Sequence, residues 1–125
     1  MIKKTSLISL LFITSSIFAN EVKIVDVKAS CHDYNDNKIC NFNVTLKHED
    51  IGWKHFANKW EVYTPNNKLL AKRTLHHPHV NEQPFTRGIS NVKIPKGLKK
   101  VHIKAHDSVH GYSKDVFVYK FNKKD

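Results

Sequence analysis

Cys40-Asn41-Phe42-Asn43-Val44-Thr45-Leu46-Lys47 alternates apolar and polar residues without a break. In an extended chain successive side chains point to opposite faces, so this period of two buries one face and leaves the other wet. A helix over the same residues would scatter its apolar side chains around the circumference. The stretch therefore reads as a half-buried β-strand. Outward from it the pattern recurs at Val22, Ile24 or Val25 and Val27, at Trp60 and Val62, over 69–75, over 85–94, at Val101, Ile103 and Ala105, and over 116–121. Turn residues punctuate these runs, notably Asp33 to Lys38, Pro65-Asn66-Asn67-Lys68 and Pro95-Lys96-Gly97. No segment carries an amphipathic helical pattern. Seven short strands in about 100 residues predict an all-β, seven-stranded immunoglobulin-like β-sandwich, with a small open β-barrel as the alternative. Trp60 and Phe42 are the expected core aromatics.

The chain begins differently. A basic start, Lys3 and Lys4, precedes a mostly apolar run from Leu7 to Phe18 that ends at Ala19. That is the layout of a secretory signal peptide with cleavage after Ala19, which leaves residues 20–125 as a single domain. The run is short for a membrane span, no lipid-accepting cysteine follows it, and no later stretch is long and apolar enough to insert stably in a bilayer. The expected location is exported, in a periplasm; nucleic acid is then not an expected partner.

Export also decides the cysteines. Cys31 and Cys40 are the only two in the chain. An oxidising compartment predicts a disulfide between them, closing a loop over His32 to Ile39. No thiolate then remains for a metal, and Met1, the one methionine, leaves with the leader. The formal charge of +10 loses two when Lys3 and Lys4 are removed, leaving a basic domain. Its field attracts anionic surfaces or acidic proteins, although the lysines are scattered along strands rather than gathered.

The nine histidines are the chemically distinctive feature. In an immunoglobulin-like order the loops after the second, fourth and sixth strands share one end of the sandwich. His48 and His55 fall in the first of these connections. His76, His77 and His79 fall in the second, and His106 and His110 at the third. Loops held by a rigid sandwich can gather several imidazoles, and neutral imidazole binds Zn, Cu(II) or Fe. The expected ligands are His77, His79, His106 and His110, with His55 or His76 assisting and Asp107 as ligand or orienting group. Glu49, Asp50 and Glu82 are further carboxylates near them, able to ligate or to orient imidazole N–H groups. His48 reads as the end of the second strand.

Two resemblances follow from these residues. His77-Pro78-His79-Val80-Asn81-Glu82-Gln83-Pro84-Phe85-Thr86-Arg87 together with Ala105-His106-Asp107-Ser108-Val109-His110-Gly111-Tyr112 resembles a family of short exported bacterial proteins of uncharacterised function. The same two loops are similar to ligand loops of the superoxide reductase iron domain, desulfoferrodoxin type, which is also an immunoglobulin-like sandwich. In that likeness His110 matches a histidine ligand. Asp107 stands where the family has its cysteine, and Gln83 where it has a further histidine, which puts the redox chemistry in doubt. The leading expectation is therefore a small exported protein that holds a divalent transition metal for handling or sensing rather than catalysis. The alternatives are a metal-free module that recognises a protein or anionic ligand, and a superoxide reductase-like redox protein.

Overall fold

The computed structural model describes residues 20–123 and 125; the leader residues lie outside the described residues. Every regular element in them is a β-strand: β1 (Lys23–Tyr34), β2 (Asn37–Lys47), β3 (Ala57–Tyr63), β4 (Leu69–Thr74), β5 (Phe85–Ile94), β6 (Lys100–Asp107), β7 (Gly111–Tyr112) and β8 (Phe117–Lys120). One sheet has the order β1-β2-β5. The other has the order β4-β3-β6-β7, with β8 also pairing β6, and all pairs are antiparallel. This is a two-sheet sandwich and not a closed barrel. Relative to the seven expected strands there is one more, the two-residue β7, and the fourth strand pairs with the third.

The alternation at 40–46 is what sets the core. Cys40, Phe42, Val44 and Leu46 are all buried, and they face Trp60, Val62, Val101, Ile103 and Ala105 of the opposite sheet. β2 and β6 each contribute every second residue, as a pleated layer requires. Among the described residues no helix is long and apolar enough to cross a membrane.

The first strand is longer than the sequence pattern indicates. It runs on through Cys31 to Tyr34 and returns at Asn37. Asn35 and Asp36 both have positive φ, 47° and 68°, the signature of a two-residue type I′ hairpin that suits the strand twist. The polar run at 33–38 is thus a tight hairpin rather than a loop. Cys31 and Cys40 sit opposite one another in it and are joined by a disulfide. Replacing both by alanine is expected to cost about 2–3 kcal/mol, the loop-closure contribution for a ring of this size. A urea unfolding midpoint unchanged by the double substitution would refute this.

Candidate metal centre

Parity along the strands decides which polar side chains reach the site. The inward face of β2 continues beyond Leu46: His48 and Asp50 are buried at the next two alternate positions. On β6 the inward series Val101, Ile103, Ala105 continues to Asp107, which is fully buried. His106, one residue earlier, points to the outer face. There its Nδ1 lies 2.7 Å from Asn58 Oδ1 and its ring meets Tyr112 edge-on at 4.8 Å. Burial, then the charge of Lys59, holds the His106 imidazole below its usual range.

Two loops are then tied together by their backbones. Ser108 N–H donates to the Phe56 carbonyl at 3.0 Å, and Phe56 N–H donates to Ser108 Oγ at 3.0 Å. Asp107 closes its own turn, its Oδ1 accepting from Val109 N–H at 2.8 Å and His110 N–H at 2.6 Å, the local bonding that Asp supplies in turns. Gly111 follows with φ of 80°, which returns the chain to β7 without a Cβ penalty. The result brings His55 and His110 to Asp107: His55 Nε2 is 3.2 Å and His110 Nδ1 3.3 Å from Asp107 Oδ1. The His55 ring also lies 4.8 Å from His48 and 4.9 Å from His110, centroid to centroid.

His48, His55 and Asp107 each offer one ligand atom within 4.8 Å of the others, and among the described residues they form the one such group. Donors sharing a tetrahedral zinc ion, with bonds of about 2.0–2.1 Å, lie roughly 3.3 Å apart. The separations at Asp107 match that edge. The contact between His55 and Asp107 is close but out of line for a hydrogen bond. His55 Nε2 and Asp107 Oδ2 are both buried with no hydrogen-bond partner. Unpaired buried polar atoms are costly and uncommon, and a shared cation satisfies both. Burial alone would push the Asp107 carboxyl up. The His110 and Val109 N–H groups and the charges of His110 and His55 outweigh burial and hold it below the usual range, ready as an anion.

Asp50 braces this arrangement from behind. Its Oδ1 accepts from Ala57 N–H at 3.0 Å and pairs with His48 Nδ1; its Oδ2 accepts from His79 N–H at 2.8 Å. One buried carboxylate thereby fixes the start of β3, the His48 ring and the loop after β4. A carboxylate behind an imidazole is the usual means of orienting a ligating histidine. On its other side His48 Nε2 faces the Asn20 carbonyl oxygen at 2.9 Å.

Of the expected ligands, Asp107, His55 and His110 are brought together. His79 joins this end through its main chain, while its ring stacks flat on Phe85 at 4.1 Å and both ring nitrogens are buried without partners. Burial, then the charges of Arg87 and His77, holds the His79 imidazole below its usual range. His77 is exposed beside it, with ring centroids 4.7 Å apart, and His76 is exposed. Neither His77 nor His79 belongs to the gathered group, and His106 lies on the opposite face of β6 from Asp107. His48, expected as the end of the second strand, is instead part of the gathered group. The period of two from Cys40 carried the signal for it, because position 48 is inward on that count.

No protein-family model matches the chain, and no solved structure matches it. Among curated proteins it is similar to one from Halomicrobium mukohataei with the printed name "Putative lipoprotein", 33% identical over 105 residues. The match covers 84% of this chain and 50% of that protein, so the chain spans about half the length of the relative.

Proposed function

We propose that the protein is exported and holds one divalent transition metal ion through His48, His55 and Asp107, with His110 as a fourth donor on the solvent side. The observation that carries this is the buried convergence of three ligand groups within 4.8 Å, two of whose polar atoms lack any other partner. The donor set is nitrogen and oxygen. Both cysteines are held in the disulfide and none is free, so Zn, Cu(II) and Fe(II) fit better than Cu(I). Asp50 orients His48, and Asp107 supplies the anionic charge. The His110 side chain is 34% exposed while Asp107 and His48 are fully buried. The ion would therefore enter and leave past His110, which suits handling or sensing of a metal. Export is supported by the leader-like start and by the word lipoprotein in the relative's name.

The test is metal titration of untagged protein against a competing chelator. One ion per chain is expected. His55→Ala and His110→Ala should each weaken binding by more than about 10–100-fold, the loss typical of removing only an outer partner. His106→Ala should bind as the parent does. A metal held at 100 times its Kd should also raise stability by about 2.7 kcal/mol. Substoichiometric binding, or equal affinity in parent and His55→Ala, would sink the reading.

A further inference from the structure

Asn20 is bound on several sides. Its Oδ1 accepts from Glu49 N–H at 3.1 Å and its Nδ2 donates to the Glu49 carbonyl at 3.0 Å. Its carbonyl oxygen accepts from His48 Nε2 at 2.9 Å, and its Nδ2 lies 3.3 Å from His55 Nδ1. A residue that leader removal places at the chain start frays unless something ties it down. Here the two-way pairing with the Glu49 backbone fixes the side chain, and two of the gathered histidines touch the same residue. A cleft of about 390 Å³, lined in part by Asn20, Lys23, His48 and Asp115, opens beside it.

The apolar leader ends at Ala19, so Asn20 is the residue that cleavage after Ala19 would expose. Hydrolysis of the Ala19–Asn20 amide adds water across that bond, leaving a carboxylate on the leader and an α-amino group on Asn20. We propose that this new α-amino group is a further nitrogen donor to the metal centre, so that leader removal completes the site. The inference rests on the metal-binding reading above. An amide nitrogen has no available lone pair, whereas an amine does once it has released its proton. Within one residue the backbone nitrogen and carbonyl oxygen are no more than roughly 3.6 Å apart. With the Asn20 carbonyl oxygen 2.9 Å from His48 Nε2, the amine lies within roughly 6.5 Å of that nitrogen. The amine and carbonyl oxygen of one residue can close a five-membered chelate on one ion. The ion would replace the proton now held between His48 Nε2 and the Asn20 carbonyl.

The experiment uses protein recovered after export of the full chain. Its mass is measured first, and a first residue other than Asn20 overturns this inference alone. Cu(II) is then titrated into that protein and into the same material after Nα-selective transamination, which converts the terminal amine to a ketone and leaves lysines intact. A third form carries one extra glycine before Asn20. The expected result is at least a tenfold weaker affinity in both altered forms, with one fewer nitrogen in the copper electron paramagnetic resonance spectrum of the transaminated protein. Metal-free thermal unfolding should be the same for all three, which separates a lost ligand from a lost fold. Equal affinity and equal spectra overturn the proposal while leaving the histidine–aspartate site standing. No binding by the free-amine form overturns both.

Discussion

Asp50→Ala is expected to destabilise the protein by about 3–5 kcal/mol, the cost of breaking a buried, hydrogen-bonded charge arrangement from one side. Asp50 is buried, and its two oxygens serve Ala57 N–H, His79 N–H and His48 Nδ1. Removing the carboxylate leaves two buried main-chain donors and an imidazole without acceptors, each of which carries its own desolvation penalty. A small domain has roughly 5–15 kcal/mol in total, so the variant should approach its unfolding limit at room temperature. Urea unfolding measures the loss. The double variant with His48→Ala should lose less than the sum of the single losses, because the two side chains contact each other. A loss under about 1 kcal/mol for Asp50→Ala, or strict additivity with His48→Ala, would show that the carboxylate does not brace the site.

Phe42→Ala should cost a similar amount, about 3–5 kcal/mol, by a different route. Phe42 is fully buried on β2 and meets Tyr119 and Phe121 edge-on at 6.1 and 6.5 Å. Those aromatics lie on and just after β8, which belongs to the other sheet. Truncation therefore opens a cavity between the layers and removes aromatic contacts across the sandwich. Val25→Ala is the control, since Val25 is 52% exposed and surface changes usually stay within about 0.5 kcal/mol. Equal unfolding midpoints for the two variants would contradict this account of the core.

The two substitutions mark different degrees of legibility. Phe42 could be placed from the sequence because alternation over 40–47 is a local signal, and a pleated strand turns it directly into a buried face. The same rule extends to His48 and Asp50 just beyond β2 and to Asp107 at the end of β6, which continue the inward series of those strands. It equally places His106 outside. Histidine type and loop position alone could not separate His106 from Asp107, although strand parity does.

The sequence by itself determined an all-β sandwich, its central strands and its disulfide partners. These rest on local periodicity and on the chemistry of two cysteines. Only the tertiary structure decided which donors meet. His48 and His55 come from the connection between β2 and β3 and Asp107 from the end of β6, and their approach depends on the packing of two sheets and on the Phe56–Ser108 exchange between loops. Asn20 is joined to them by hydrogen bonds to Glu49, 29 residues away. Contacts of that kind leave no periodic trace in a single sequence, because they are set by how the elements pack and not by what any one element is.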